Sequence, residues 1–235
     1  MMRALAIIPA RGGSTRIPFK NIRMLAGRPI LEYVVKSVSK SCVFREIHVS
    51  TDSPEVAEVA NRLEAPPRFQ RPERLARNSV SIRQVAQYTV KRYESLGLSY
   101  QHVAVISATA CLLTPDTIRK SYEQFLEKPS VPLLAVVANQ SPPEKAFVKV
   151  GDFLGPLKPE SFWRHTQDYT QTFSDAGAIA WFETRYVSGP AFQDGSQYRP
   201  FLLPRWMGID IDTEDDWVLA EYVMLGREVG LKTAR

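Results

Sequence analysis

The chain has 235 residues, 44% apolar and 23% charged, which suits one large α/β domain with a sizeable core. Its formal charge is +5, and Arg11, Arg16, Lys20, Arg23 and Arg28 crowd one end instead of forming a basic stripe with interleaved aromatics; that argues for a small anionic ligand and against nucleic acid. No stretch approaches the roughly 18–20 apolar residues of a membrane span, and Cys42 and Cys111 lack any CxxC or Cys/His partner, so a structural zinc site is not expected, and buried free thiols in a reducing, cytoplasmic setting are.

Residues 5–10 are continuously apolar, the pattern of a parallel strand buried on both faces. "RGGS" follows. Gly12 and Gly13 let the backbone turn tightly and bring N–H groups to a polyphosphate, while Arg11 and Lys20 offer charge to its oxygens. Neither G-x-x-x-x-G-K-[ST] nor G-x-G-x-x-G is present, and an ordinary βα turn with surface cations is the alternative. Apolar residues at helical spacing predict a helix over 29–40. "EIHVST" predicts a strand over 46–51, and Ser53-Pro54-Glu55 marks a capped helix start.

A helix is expected over 81–96, a strand over 102–107, and a helix from Thr114-Pro115-Asp116 to about residue 127. A strand over 131–139 ends the alternation. Residues 140–175, rich in proline, aromatic and polar residues, form a hairpin and an excursion from the main sheet. Strands over 176–182 and 201–204 follow, and Thr213 with Asp216 caps a last helix from 214 to about 226. The pattern is that of a doubly wound, mostly parallel α/β sheet, a single Rossmann-like domain over 1–235.

"GIDIDTEDD" puts Asp210 and Asp212 two apart, on one face of extended chain. Two adjacent carboxylates repel unless a cation lies between them. Magnesium, or manganese in its place, fits, because it takes carboxylate and substrate phosphate oxygens together. A solvated strand end with helix-cap acids is the alternative.

With these residues in hand, "IIPARGGSTRIPFKNI" resembles the N-terminal signature of the CMP-sialic acid synthetases, the acylneuraminate cytidylyltransferases. "VSTDSPEVAEVA", "RFQRPERLARNSVS" and "DIDTEDDW" extend the resemblance over nearly the whole chain. "PESFWRHTQDYTQTFSDAGAIAWF" is most similar to the branch that activates pseudaminic acid. The chain departs from that pattern at Thr15 (usually lysine), Ser53, Asn78 (often aspartate), Cys111 and Ala178 (glutamine in that branch).

The resemblance implies a reaction of CTP with a nonulosonic sugar acid to give CMP-sugar and pyrophosphate. N-acetylneuraminate, legionaminate and Kdo-type enzymes, or a non-catalytic nucleotide-binding homologue, are the alternatives. It implies that Arg11, Lys20, Gly12, Gly13 and Ser14 hold the phosphates and that Asp210 and Asp212 hold the metal. Ala10, Asn21, Arg71 and Ser81 match family nucleotide-contact positions, and Thr109 follows a strand end where open sheets bind ligands. Arg71 has Glu73 as an alternative partner. For the sugar, Arg164, Gln167 and Asp175 are the candidates, although Asp175 has turn capping as a second reading. None of His48, His102 and His165 is placed as a general base. The family's excursion builds a homodimer, which would use Phe147, Phe153, Phe162, Trp163 and Tyr169; filling a satellite core is the alternative use of these rings.

Overall fold

The computed structural model describes residues 4–189 and 197–233. Strand β1 (Ala4–Pro9) is buried on both faces: Ala4, Ala6 and Ile8 join one core cluster, Leu5 and Ile7 the other. A short hairpin, β2 (Met24–Leu25) and β3 (Arg28–Pro29), turns through Ala26 and Gly27, both at positive φ. The sequence reading missed it. Helix α1 (Ile30–Ser41) ends at Cys42, whose φ of 57° makes it a left-handed cap. That position exposes Cys42, so the expectation of two buried thiols holds for Cys111 alone.

Then come β4 (Phe44–Ser50), α2 (Pro54–Arg62), α3 (Ile82–Ser95), β5 (His102–Ile106), α4 (Pro115–Leu126) and β6 (Leu133–Ala138). Ser53, Ser81 and Thr114 each accept a backbone N–H at their helix starts, and Ser81 closes a full capping box with Gln84. The excursion carries the hairpin β7 (Phe147–Val150) and β8 (Phe153–Pro156). It ends earlier than expected, because β9 (Phe173–Glu183) starts at residue 173. Helix α5 (Thr184–Ser188), β10 (Arg199–Leu202) and α6 (Glu214–Thr233) complete the chain. Helix α6 runs beyond Gly226, and Arg227 anchors the extra turns by donating to the Leu112 carbonyl at 3.0 Å.

The main sheet has the order β10-β6-β9-β5-β1-β4. Strand β1 pairs in parallel with β4 and β5, and β10 with β6; β9 runs antiparallel between β5 and β6. Helices α1, α2, α4 and α6 cover one face, α3 and α5 the other. The chain moves from β1 outward to β4, then returns to the opposite side of β1 as β5. Such a reversal opens a crevice beyond the strand C-termini, where open α/β sheets bind ligands. Among the described residues no helix is long and apolar enough to cross a membrane.

Candidate active site

A cavity of about 310 Å³ lies in that crevice. The turn after β1 supplies Arg11, Ser14, Thr15 and Arg16, and the following turn Lys20 and Asn21. Gly12 is required sterically: a Cβ there would meet the Ser53 Cβ at 2.7 Å. Its N–H donates to Asp52 Oδ1 at 3.2 Å. Gly13 has open space at its Cα and leaves a ligand free to approach the backbone. Asn21 is buried and its amide donates to the Arg11 carbonyl at 2.8 Å, which fixes the turn. Arg11 Nη1 donates to Asn78 Oδ1 at 2.5 Å.

The segment after α2 folds back over the crevice and brings Arg71, Arg77 and Asn78 to the same cavity. Arg71 is 5% exposed. Its Nε donates to Ser50 Oγ at 3.1 Å and its Nη2 to the Ser50 carbonyl, so its partner is the end of β4, not Glu73. Burial pulls its pKa down to about 10, against the pull of Asp52. Thr109, also buried, shares a 2.9 Å hydrogen bond with Ser107 at the end of β5.

The opposite wall is the segment before α6. Lys20 Nζ donates to the Ile211 carbonyl at 2.6 Å and lies 3.3 Å from Asp212 Oδ1. Arg16 Nη2 reaches the same Oδ1 at 2.7 Å. Asp210 lines the cavity beside them. Desolvation raises its pKa, Asp212 adds to the rise, and Lys20 opposes it. Its carboxylate lies over Gly177, which has φ 56°; a Cβ there would be 2.6 Å from the carboxyl carbon. Asp210, Pro9, Ile82 and Ser107 also border a second chamber of about 260 Å³, lined further by Asp175, Leu134, Ala178, Ile179 and Ala180.

The structure thus gathers Arg11, Ser14, Lys20, Asn21, Arg71, Thr109, Asp210 and Asp212 around one cavity and Asp175 around its neighbour. Ala10 is buried with its N–H on the Ser50 carbonyl. Ser81 does not line the cavity, and its hydroxyl caps α3. Arg164 and Gln167 are exposed on the excursion and line neither chamber. Asp175 Oδ1 accepts the Gly177 N–H at 2.9 Å, so its turn-capping role is realised as well. His48 and His102 are buried strand residues outside both chambers. Sequence reasoning named Arg16 only among the cations near the phosphates and assigned no site role to Arg77 or Ser107; Arg77 lies in the "RPERLARN" block, six residues after Arg71.

Arginines 11, 16, 71 and 77 with Lys20 outnumber Asp210 and Asp212, which suits a polyanion. Among the described residues no group of three or more His, Cys, Asp or Glu forms a metal cage. A carboxylate pair in a phosphate-sized, cation-rich cavity fits an ion completed by substrate oxygens.

Residues 5–171 match the sequence profile of the cytidylyltransferase family. The chain belongs to that family. This cytidylyltransferase is 33% identical to pseudaminic acid cytidylyltransferase of Campylobacter jejuni over 227 residues, 94% of this chain and 95% of that one. It is 30% identical to CMP-N,N'-diacetyllegionaminic acid synthase of Legionella pneumophila, over 95% and 97%. Its fold matches a CMP:2-keto-3-deoxy-manno-octonic acid synthetase complexed with CTP, at a TM-score of 0.70 and 15% identity over 96% and 99% of the two chains. Cytidylyltransferases of this kind generally use a divalent metal.

Proposed function

We propose that this cytidylyltransferase couples CTP to a nonulosonic acid of the pseudaminic type, releasing pyrophosphate. The observation that carries the reading is the junction of two chambers at Asp210, one lined by cations and one lined mostly by apolar residues with Asp175 in its wall. The first suits a triphosphate. The second suits the methyl groups of an N-acylated, deoxygenated sugar, at about 0.8 kcal/mol for each buried carbon. Resemblance to the Campylobacter enzyme supports the choice of acid.

The sugar's anomeric hydroxyl attacks the α-phosphorus in line, the new P–O bond forming as the bond to pyrophosphate breaks and the hydroxyl proton passing to water or to a carboxylate of the Asp210–Asp212 pair. Reactants and phosphates are all anionic, so charge neutralisation and positioning carry the rate. Arg11, Lys20 and Arg16 hold the phosphates with Ser14 and the Gly12–Gly13 backbone. Arg71 and Thr109 fix the nucleoside at the ends of β4 and β5. Asp210 and Asp212 would hold magnesium, with manganese as a substitute, and the ion would offset charge on the triphosphate. Asp175 orients the sugar. Use of CTP places the reaction in the cytoplasm. We further propose that residues 140–172 form a homodimer interface, which brings Arg164 and Gln167 to the partner's sugar chamber.

Incubation with CTP, magnesium and each of pseudaminic, legionaminic, N-acetylneuraminic and Kdo-type acids, with pyrophosphate as readout, tests the reading. Pseudaminic acid is expected to give the highest kcat/KM. Preference for a legionaminic or neuraminic acid would move the assignment within the family, as Ala178 in the chamber wall would allow. Absence of pyrophosphate with every acid would overturn it.

A further inference from the structure

Two cations converge on one oxygen, Asp212 Oδ1, and they are held differently. Lys20 is fixed: its ammonium also donates to the Ile211 carbonyl, and its side chain is 19% exposed. Arg16 is not fixed. Its side chain is 63% exposed, and among the described residues Asp212 is the group that holds it, at 2.7 Å. A divalent ion on the Asp212 carboxylate repels the guanidinium that neutralises it. Arg16 and the metal therefore compete for Asp212. Arg16 also lines the cavity proposed for the triphosphate, where its planar fork fits phosphate oxygens better than a single carboxylate oxygen.

We propose that Arg16 is a displaceable counter-cation of Asp212: the triphosphate draws it off, so that the site's affinity for the metal rises when CTP binds. This rests on the assignment of Asp210 and Asp212 as the metal-holding pair. It makes Arg16 a positioning residue that couples nucleotide arrival to metal affinity. Because the competing ion pair is exposed, its effect on metal affinity is bounded at about fivefold.

The test is Mn²⁺ binding to the full chain, read by the electron spin resonance of free Mn²⁺, with and without CTP and with no sugar acid present. Without CTP, Arg16→Gln is expected to bind Mn²⁺ more tightly than the parent, by up to about fivefold. Arg16→Lys, which keeps a cation, is expected to stay near the parent. With CTP bound, the advantage of Arg16→Gln should disappear, because Arg16 has left Asp212 in the parent too. Equal Mn²⁺ affinity of the parent and Arg16→Gln without CTP overturns the proposal, as does an advantage that persists unchanged with CTP. Asp212→Asn separates the two levels: if it binds Mn²⁺ as the parent does, the metal assignment itself fails. If it weakens binding while Arg16→Gln changes nothing, only the role of Arg16 fails.

Discussion

Asp210 keeps its place because residue 177 has no side chain. Gly177 combines φ 56° with contact to the carboxylate, so an alanine there is both strained and in collision. Gly177→Ala is expected to fold with a loss of about 1 kcal/mol, from the positive φ. Turnover should fall about a hundredfold, the scale of a 1 Å misplacement in an active site. Thermal melts and kcat on the same preparation check this; normal kcat would detach Asp210 from the chemistry. Asp212→Asn tests the other carboxylate and is expected to cut turnover by orders of magnitude with the fold intact. His48 illustrates a different constraint. It is fully buried, its Nδ1 lies 3.3 Å from the Tyr93 hydroxyl, and desolvation with Arg71 and Arg68 nearby lowers its pKa to about 3. The folded protein therefore keeps it neutral, while the unfolded chain takes up a proton below about pH 6.5. Its contribution is complete above that pH and falls away as the pH drops towards 3, reaching a loss of about 2 kcal/mol at pH 5. Urea unfolding at pH 8 and pH 5 should show that difference shrink in His48→Leu; an unchanged difference would remove His48 as its source.

The two walls of the site lie about 190 residues apart in the chain and are joined by contacts between the 20–29 segment and α6. Arg23 pairs with Glu214 at 2.6 Å and stacks over Trp217, and the Ala26 N–H donates to Glu221 at 2.8 Å. The cap of α6 then sets Asp212. Asp216 Oδ2 accepts from Thr213 Oγ1, Thr213 N and Asp212 N at 2.7, 2.8 and 3.0 Å. Asp216→Ala is expected to cost about 1–2 kcal/mol as a lost cap. It should lower kcat/KM for CTP by more than that loss of stability explains, because Asp212 loses its backbone anchor. Activity at a temperature well below Tm decides it: full activity there would make Asp216 a helix cap and nothing more. The caps at Ser53, Thr114 and Thr213 were legible because cap chemistry is local. So were Arg11, Lys20, Asp210 and Asp212, which sit in short spaced patterns at strand ends. The direction of β9 was not, since an apolar run satisfies parallel and antiparallel pairing alike. The length of α6 was hidden by Gly226, whose helix-breaking tendency is offset by the bond from Arg227 to the Leu112 carbonyl outside the helix. Arg16 and Arg77 lie on irregular loops where no periodicity marks the inward side chain, and Ser81 fitted a contact position while its hydroxyl was already needed by α3.

The whole molecule leaves its excursion unsupported by its own core. Strand β7 is exposed along its length, Phe153 is 79% exposed, and Trp163 is 86% exposed beside the ring pair of Phe147 and Phe162. Phe147, Phe153 and Trp163 are left exposed while Phe162 and Tyr169 are half-buried within the excursion, and exposed rings of this kind suit the proposed interface. A two-fold axis through the hairpin would let each excursion serve the other subunit's site, since an isologous contact presents the same residues in both directions. Phe153→Glu with Leu154→Glu should then convert a dimer to a monomer in sedimentation equilibrium and lower activity together. Mixing gives the sharper measurement. Asp212→Asn and the double variant Arg164→Ala, Gln167→Ala are each expected to be nearly inactive alone. If Arg164 and Gln167 act across the interface, a mixed dimer holds one site with both defects and one with neither. Equal amounts, unfolded and refolded together, yield about half mixed dimers and so about a quarter of the parent activity. If those residues act within their own subunit, every site in the mixture carries one defect, and activity stays at the level of the separate variants. Recovery without dimer in the sedimentation profile would contradict the shared-site arrangement as firmly as no recovery at all.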